Sequence, residues 1–249
     1  MRLVLASVLL VAVTLPAFAI VRRHDREDAR YLELAKGQNA LVDLNLPGGA
    51  GTLIAPAWVI TAAHAAQLMK TPHQVKIAGK SYEVARSVIF PGGGEGKNDI
   101  ALLELAVPVE GVTPIPIYAG RDEGSGDKIV TFVGQGFSGD GVTGPTVRDN
   151  RPRAATNRIE AVKENWLVFL FDAPPGGTDL EGISGPGDSG GPALMKIGAT
   201  TFLIGISSGQ DSRATGKEGV YGVTEYYVRV STYIEWIRNT MASPRTTSP

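Results

Sequence analysis

Short apolar runs separated by turn-forming residues fill this chain from Ala40 onward and constrain its fold more than any other feature. The runs include ALVDLNL, WVITAA, DIALLEL, KIVTFVGQG and TTFLIGISS, and Gly/Pro clusters such as PGGAG and PGGGEG lie between them. Runs of roughly four to eight apolar residues bounded by Gly and Pro are typical of β-strands. Because helices do not alternate with these strands, the pattern favours an all-β sandwich or a pair of barrels over an α/β fold.

Helical periodicity is convincing only near the C-terminus. Apolar residues recur at helical spacing over Tyr233–Met241, which predicts a helix with one docking face, expected to pack on the last barrel. A short helical turn is predicted near Tyr31–Ala35. The stretch GRDEGSG at 120–126 is the best candidate for the link between two β units, and 242–249 is predicted to be a flexible tail.

The segment 1–19 has the pattern of an export signal. Arg2 gives a positive start, LVLASVLLVAV is an apolar core, and Ala17-Phe18-Ala19 is a small-x-small cleavage site. Cleavage there would leave Ile20–Pro249 as a secreted or periplasmic protein without membrane contact. A retained membrane anchor is the alternative, but the apolar run is short for a bilayer and charged residues follow it at once.

Charge and cysteine content exclude several classes of function. The 24 basic and 25 acidic residues nearly balance and form no long run of one sign. A nucleic-acid binder usually carries a basic patch, so no nucleic-acid partner is expected. Cysteine is absent, which excludes a cysteine nucleophile, a cysteine-ligated metal and any disulfide framework.

The stretch GPGDSGGP at 185–192 places one serine, Ser189, among glycines and prolines. A surface turn is the simple interpretation, since Gly, Pro, Asp and Ser form turns. The alternative is a nucleophile, because glycines let a ligand approach the backbone closely and let N–H groups point at one spot. The choice between the two depends on whether the chain also supplies a base and an orienting acid.

His64 and Asp99 are the candidates for the base and the acid. His64 lies in WVITAAHAA, directly after an apolar run and between small alanines that leave room for an imidazole, whereas His24 and His73 lie in polar stretches. Asp99 stands at the entrance to the apolar run IALLEL, where a buried carboxylate could hold a histidine tautomer. Each residue also has an ordinary structural interpretation, a packed histidine and a turn-capping aspartate.

The order of these residues along the chain decides between mechanisms. Residues 187–191 satisfy G-x-S-x-G, the nucleophile elbow of α/β-hydrolases, but those enzymes place the histidine after the serine and no histidine follows Ser189. A subtilisin-like order could use Asp43, yet it expects an α/β chain. The order His64, Asp99, Ser189 is the one found in chymotrypsin-like enzymes.

These motifs resemble those of the chymotrypsin/trypsin family of serine proteases. GTLIAPAWVITAAHA is similar to the histidine motif, NDIALLEL to the aspartate motif and GPGDSGGP to the serine motif, over Ile20–Met241. The resemblance is to a secreted, cysteine-free, bacterial-type member. It implies an all-β chymotrypsin-like fold of two antiparallel β-barrels of the six-stranded type with a C-terminal helix. The implied domains are an N-terminal barrel at 20–119, with an N-terminal segment at 20–38, and a C-terminal barrel plus helix at 120–241.

The resemblance also implies roles for individual residues. His64 would be the general base, Asp99 its orienting partner and Ser189 the nucleophile. The N–H groups of Gly187 and Ser189 would form the oxyanion hole. The substrate would be a protein or peptide, the protein is expected to be a monomer, and no cofactor or metal is expected. A catalytically silent binding protein on the same scaffold is the alternative.

Substrate-binding residues are implied less sharply. Ser207, Ser208 and Gly209 resemble a segment that pairs with an extended substrate backbone. Ile183 would lie at the pocket floor, where an acidic residue, absent here, would have signalled a preference for Lys or Arg, and Ser184 beside it is a further expected substrate-binding residue. The pocket wall has two candidates. If GVY is matched to the family, the wall residue is Gly219, and Glu225 is a surface charge. If positions are counted back from the last helix, the wall residue is Glu225, which would attract a basic side chain.

Activation involves the new N-terminus in this family. A cut that exposes Ile-Val lets the freed amine pair with the aspartate before the catalytic serine, which here makes Ile20 and Asp188 the expected pair. Export alone would then yield active enzyme. Arg22-Arg23, which stands where relatives usually have two glycines, leaves open a processing site inside a longer propeptide.

Overall fold

The computed structural model describes residues 20–70, 72–124, 126 and 128–244, and strands are its main element. The predicted signal segment 1–19 and most of the predicted tail lie outside the described residues. The first part contains strand β1 and helix α1, then six strands and helix α2: β1 (Val21–Arg22), α1 (Asp28–Leu34), β2 (Leu41–Asp43), β3 (Ala50–Ala55), β4 (Trp58–Thr61), α2 (Ala63–Gln67), β5 (Gln74–Ile77), β6 (Lys80–Ile89) and β7 (Ala101–Leu105).

Strands β2–β7 form a closed antiparallel barrel in the order β2-β3-β4-β7-β6-β5. Two neighbouring strands, β4 and β7, are apolar runs in the sequence: every residue of β4 is buried, and so is all of β7 except Glu104. Closure pairs every strand with two neighbours, which leaves no exposed edge. This rigid barrel carries His64 in α2, directly after β4, and Asp99 just before β7.

The second part of the chain contains ten further strands and the last helix. They are β8 (Ile129–Gly134), β9 (Ser138–Asp140), β10 (Gly144–Val147), β11 (Arg153–Arg158), β12 (Ala161–Val162), β13 (Trp166–Leu170), β14 (Gly182–Ile183), β15 (Pro192–Ile197), β16 (Thr200–Asp211), β17 (Thr224–Arg229) and α3 (Ile234–Ala242). Seven of these strands form an antiparallel sheet in the order β11-β8-β15-β16-β17-β13-β12, which curls into a half-barrel.

The predicted chymotrypsin-like all-β fold with two barrel-like sheets and a C-terminal helix is confirmed. The second barrel differs in being open. Strand β14 does not close it, because β14 pairs with β1 in a separate four-stranded sheet of order β10-β9-β1-β14. The N-terminal segment is thereby built into the second part of the molecule. The predicted domain boundary at 119/120 falls between β7 and β8 and stays a prediction.

Both predicted helical segments are present, with one correction to their packing. The turn predicted near Tyr31–Ala35 is helix α1, whose Tyr31 is fully buried. Helix α3 was expected to pack on the last barrel, but it packs on the first. Its Trp236 ring lies 5.3 Å from the Phe90 ring, and Arg86 of β6 donates to Thr240 O over 3.4 Å, whereas Ile237 belongs to a hydrophobic cluster that both halves share. Helix α3 therefore ties the end of the chain to the barrel that carries His64.

Candidate active site

His64 is held by two hydrogen bonds to the same carboxylate. Its Nδ1 lies 2.7 Å from Asp99 Oδ2, and its backbone N–H donates to Asp99 Oδ1 over 2.8 Å. The neighbouring Ala63 and Ala65 are buried and small, and the His64 side chain is 21% exposed. The imidazole is thus oriented through Nδ1, which leaves Nε2 toward the cleft.

Asp99 is fully buried and accepts a further hydrogen bond. Ser208 Oγ donates to Asp99 Oδ2 over 2.6 Å. Burial raises the pKa of the Asp99 carboxyl, but the hydrogen bonds from His64 and Ser208 outweigh it, so the net pKa is lowered. Asp99 is therefore a stable carboxylate. Ser208 was predicted only as part of a substrate-pairing segment; its contact with Asp99 is a role that the sequence analysis missed.

The pKa of His64 is raised above its usual value. Burial lowers it, but the hydrogen bond and the negative charge of Asp99 outweigh burial, and Glu95 adds a smaller electrostatic contribution. The imidazolium form is therefore favoured by its surroundings, as a base that must accept a proton requires.

The loop that carries Ser189 is fastened to the first barrel. The backbone N–H of Gly49 donates to Gly187 O over 3.0 Å, and that of Ala50 donates to Ser189 O over 2.7 Å. A side chain at Gly190 would collide with the first barrel, since a Cβ there would lie 2.2 Å from Thr61 Oγ1. Glycine at this position thus permits the close approach of the two halves.

Two backbone donors of this loop remain available. Among the described residues, the N–H groups of Gly187 and Ser189 donate to no acceptor, whereas those of Asp188 and Gly191 are used within the turn. Gly187 has φ +96°, a conformation that residues with side chains rarely adopt. The arrangement fits the oxyanion hole that the sequence predicted, because both free donors belong to the two predicted residues.

His64 and Ser189 open onto one cavity of about 170 Å³, here called the acyl-side cavity. Of the other predicted site residues, Ser184, Ser207, Ser208 and Gly209 line it. Gln210, Glu95 and Glu218 also line it and were not singled out from the sequence. They lie on surface loops or at the end of β16, where no motif marks them.

Ile183 and Glu225 do not line this cavity. Ile183 is fully buried and pairs with Val21 in the register of β1 and β14, so it packs with Val21 and Phe171 rather than at a pocket floor. Gly219, the other candidate for the pocket wall, does not line the cavity either; its N–H donates to Gln210 Oε1 over 3.0 Å. The cavity is therefore lined by the predicted serines and Gly209 but not by the residues expected at the pocket floor and wall.

Glu225 is fully buried beneath the acyl-side cavity, which excludes the surface-charge interpretation. Ser184 donates to its carboxyl group through both the hydroxyl and the backbone N–H, the latter over 3.1 Å. Burial raises the pKa of Glu225 to about 7, against the lowering effect of the Ser184 hydrogen bonds. Ser184 thus links a buried titratable acid to the cavity.

The backbone nitrogen of Ile20 lies against the Asp188 carboxylate. Ile20 N donates to Asp188 Oδ2 over 3.0 Å, and the backbone N–H groups of Gly136 and Gly185 donate to the same carboxylate over 2.6 and 2.9 Å. Ile20 and Val21 are fully buried. Burial raises the pKa of Asp188 in spite of these donors. The structure therefore brings the two predicted partners together.

No group of three or more His, Asp or Glu side chains that could hold a metal ion occurs in the part of the chain that the structure describes. Likewise, no helix among the described residues is both long and apolar enough to span a bilayer.

Comparisons with known proteins identify the family to which this chain is similar. The trypsin family model matches residues 35–237. The CLIP domain-containing serine protease B14 of Anopheles gambiae is 31% identical over 192 residues, which cover 68% of this chain and 50% of that protein. Coagulation factor IX of Oryctolagus cuniculus is 30% identical over 217 residues, which cover 75% of this chain and 73% of that protein. The chain thus spans half the length of the first relative and about three quarters of the second.

A solved structure of neuropsin, a serine protease expressed in the limbic system of mouse brain, has the same fold. It superposes with a TM-score of 0.65 at 20% identity, over 83% of this chain and 96% of that one. The relatives named here are animal proteins, so the bacterial-type character expected from the sequence is not confirmed. The family model covers well over half of the chain, and the chain therefore belongs to the trypsin family of serine proteases.

Proposed function

We propose that the protein is a secreted endopeptidase in which His64, Asp99 and Ser189 act as a catalytic triad. The observation that carries the proposal is the 2.7 Å contact of His64 Nδ1 with the buried Asp99, with His64 and Ser189 opening onto one cavity. Asp99 fixes the tautomer and orientation of His64, which is what a general base beside a serine needs.

The chemistry follows from these positions. Ser189 Oγ attacks the carbonyl carbon of the scissile bond while His64 Nε2 takes its proton. The N–H groups of Gly187 and Ser189 stabilise the negative charge on the former carbonyl oxygen. Collapse of the tetrahedral intermediate breaks the C–N bond, the amine leaves with the proton from His64, and a water then hydrolyses the acyl-enzyme by the same route.

Active-site labelling tests this proposal. A fluorophosphonate should label the wild-type protein on Ser189 and should not label Ser189→Ala. A folded protein that fails to react and cleaves no member of a peptide library would contradict the proposal and favour the alternative, a catalytically silent binding protein. The contact between His64 and the buried Asp99 favours the enzyme, because a binding protein has no need of a buried carboxylate behind its histidine.

Secretion is the second part of the proposal. The pattern of residues 1–19 supports cleavage after Ala19, which would convert the backbone nitrogen of Ile20 into an α-amine at the Asp188 carboxylate. A buried carboxylate without a paired cation is costly, so the amine would stabilise the loop that presents Gly187 and Ser189. Export would then activate the enzyme. N-terminal sequencing of the exported protein checks this, and a start other than Ile20 would contradict it.

Arg22 and Arg23, which raised the alternative of a processing site inside a longer propeptide, have structural partners. Arg23 is buried, forms a two-pronged ion pair with Asp25 and donates to Thr178 O over 2.8 Å. Cleavage after Arg23 would also remove Ile20 from its site. These contacts favour Ile20 as the functional N-terminus over a processing site at the arginines.

The substrate class follows from the family, whose members act on proteins or peptides. As a finer proposal, Glu225 favours Lys or Arg before the scissile bond, since its carboxylate lies directly behind Ser184, and Ser184 lines the acyl-side cavity. Glu95 and Glu218 in the same lining have no ion pair within the described residues and support a preference for positive charge. The protein is proposed to act as a monomer without a cofactor, which sedimentation of the active form would check.

A further inference from the structure

A second cavity, of about 360 Å³, meets the Ser189 loop at Gly187 and shares no lining residue with the acyl-side cavity. We name it the Arg148 cavity; the residues used here are Gly48, Gly136, Gly187, Asp43, Lys76 and Arg148. A peptide bond held at Ser189 has one part of the substrate in the acyl-side cavity. The leaving part must continue past Gly187, which leads into the Arg148 cavity.

The inner end of the Arg148 cavity is shaped for a close approach of peptide backbone. Three glycines meet there: a Cβ at Gly187 would lie 3.1 Å from the Cα of Gly136, and one at Gly48 would lie 3.0 Å from the Cα of Gly187. Absent side chains let another chain come near the backbone. An extended peptide advances about 3.3–3.6 Å per residue, so the first residues after the scissile bond reach this cavity.

The charges of the Arg148 cavity do not cancel. Arg148 Nε donates to Asn150 Oδ1 over 3.0 Å, and the acid next to it, Asp149, is engaged by Arg151 and Arg153 instead. Arg148 therefore has no carboxylate partner within the described chain. Lys76 and Asp43 are paired in the register of β2 and β5, so besides Arg148 the lining holds one cation and one anion.

We propose that Arg148, with Lys76 in the same cavity lining, binds an acidic side chain within the first three residues after the scissile bond. The inference rests on the proposed peptidase activity and deepens it. A guanidinium with unused N–H donors pairs with a carboxylate through two parallel hydrogen bonds, which a neutral or basic side chain cannot form. The substrate is then a peptide with an acidic leaving segment, next to an acyl segment that faces Glu95 and Glu218.

Peptides that differ at one position test the proposal. A quenched fluorescent library with three random residues on each side of the bond first gives a cleaved parent sequence. Parent peptides carrying Glu, Gln or Lys at each of the three positions after the bond are then compared by kcat/KM. We expect Glu to exceed Gln by about threefold to tenfold at one position, since partly exposed charge-assisted contacts have this size. The advantage should shrink as salt is added.

Variants separate this cavity from general charge effects. Arg148→Gln should remove the preference for Glu over Gln, and Lys76→Gln should weaken it by leaving Asp43 unopposed. The matched controls Arg238→Gln, on the exposed surface of α3, and Lys196→Gln, on β15, should keep it. Equal cleavage of the Glu and Gln peptides by the wild type, or a preference that survives Arg148→Gln, overturns the inference while the peptidase remains. Cleavage of no library member, with no fluorophosphonate labelling, overturns the peptidase itself and this inference with it.

Discussion

The two halves of the molecule bury charge very differently. In the barrel of β2–β7, which lies within 41–105, the buried polar residues are Asp99 and two threonines, and the core is otherwise apolar. The second half buries Glu123, Arg153, Glu181, Asp188 and Glu225. The core of the first barrel therefore relies mainly on apolar packing, whereas the second half depends more on partners for its buried charges.

Several partners of those charges come from distant parts of the chain. Arg153 pairs with Asp28 of the N-terminal helix at 2.6 Å, and Glu123 pairs with Arg229 at 2.7 Å. Asp188 is held by the nitrogen of Ile20 and by loop N–H groups. Because a buried charge without its partner is costly, we expect the second half to lose its active arrangement under conditions in which the first remains folded. We call residues 41–105 the constant half and the residues from 120 onward the conditional half. The proposed base, His64, belongs to the constant half, and the proposed nucleophile, Ser189, belongs to the conditional half.

The largest expected effect tests whether both halves contribute to one catalytic unit. Ser189→Ala and His64→Ala should each lower kcat by about 10⁴- to 10⁶-fold, and the double variant should be hardly worse, because triad members act together. Melting temperatures should change little. His73→Ala is the control, since His73 Nε2 contacts Leu44 O and not the site. Retained activity in His64→Ala would refute the assignment of the base.

The pH profile of the wild type gives a related check. Activity requires neutral His64, and the pKa of His64 is raised. The rate should therefore fall with acidification through a value above the ordinary histidine pKa of about 6.5. Asp99 stays ionised over that range, because its own pKa is lowered.

The next largest effect should be confined to the conditional half. Asp188→Asn, or one extra residue before Ile20 in the mature protein, should lower kcat/KM by at least about 10²-fold, the typical cost of losing one oxyanion donor. Hydrogen exchange should increase around 182–191 and stay unchanged in β4 and β7. Glu110→Gln, at an exposed acid distant in sequence from Ile20 and Asp188, is the control. Full activity of the extended form would show that the amine is not needed.

The pH dependence of this pair has a definite sign. A carboxylate partner raises the pKa of the α-amine in the folded state above about 7.7–8.0. The stabilisation from the amine is then fully present below the unfolded value and is lost as pH rises through the folded one. The enzyme with its native N-terminus should accordingly lose activity reversibly at alkaline pH. The first barrel should stay folded while this happens.

Glu225→Gln should have an intermediate effect on both stability and selectivity. The pKa of Glu225 is raised to about 7, so its contribution to stability is full below the unfolded value near 4.5 and is lost as pH rises to about 7. The Gln variant should therefore lose less stability than the wild type over that range in denaturant titrations. Glu235→Gln on α3 is the control.

The same variant sharpens the substrate proposal. In the wild type, preference for Lys or Arg over apolar residues before the bond should increase as pH rises through about 7, because Glu225 then ionises. Glu225→Gln should abolish that increase. Equal effects on basic and apolar substrates would reduce Glu225 to a structural role.

The sequence predicted the constant half better than the conditional one. Strands β4 and β7 are continuous apolar runs, so their existence, and the positions of His64 and Asp99 beside them, follow from local pattern. Ser189 was predictable because its loop needs glycines for a conformation such as φ +96° at Gly187. These features depend on residues that are neighbours in the chain.

The features that were missed depend on long-range pairing. Ile183 was expected at a pocket floor, but because it pairs with Val21 of β1 its side chain is buried in a hydrophobic cluster. Helix α3 was expected on the last barrel but packs on the first, because an apolar helix face does not show which barrel covers it. The burial of Glu225 was also invisible locally, because its Ser184 partner is distant in sequence. Hydrophobic periodicity in a sequence indicates which face of a helix or strand is buried, but it does not indicate which element packs against that face.

The smallest predicted effect belongs to Ser208, whose hydroxyl crosses from the second half to Asp99 in the first. Ser208→Ala removes this donor, but both His64 donors to Asp99 remain, so we expect kcat/KM to fall only about threefold to tenfold. The carboxylate, less compensated, should then stabilise the His64 imidazolium more strongly, because the Ser208 hydrogen bond lowers the pKa of Asp99. The acid limb of the rate profile should therefore move to higher pH. Ser208→Thr should restore the profile by keeping a hydroxyl.

Ser207→Ala is the matched control for Ser208→Ala, since Ser207 Oγ contacts Ser184 Oγ at 3.1 Å and not Asp99. It should leave the acid limb in place even if it alters KM. An acid limb that stays fixed in Ser208→Ala, with activity lost in equal measure in both variants, would show that the serine pair acts only by packing. A shift confined to Ser208→Ala would instead show that the conditional half adjusts the base that the constant half supplies, through a single hydroxyl.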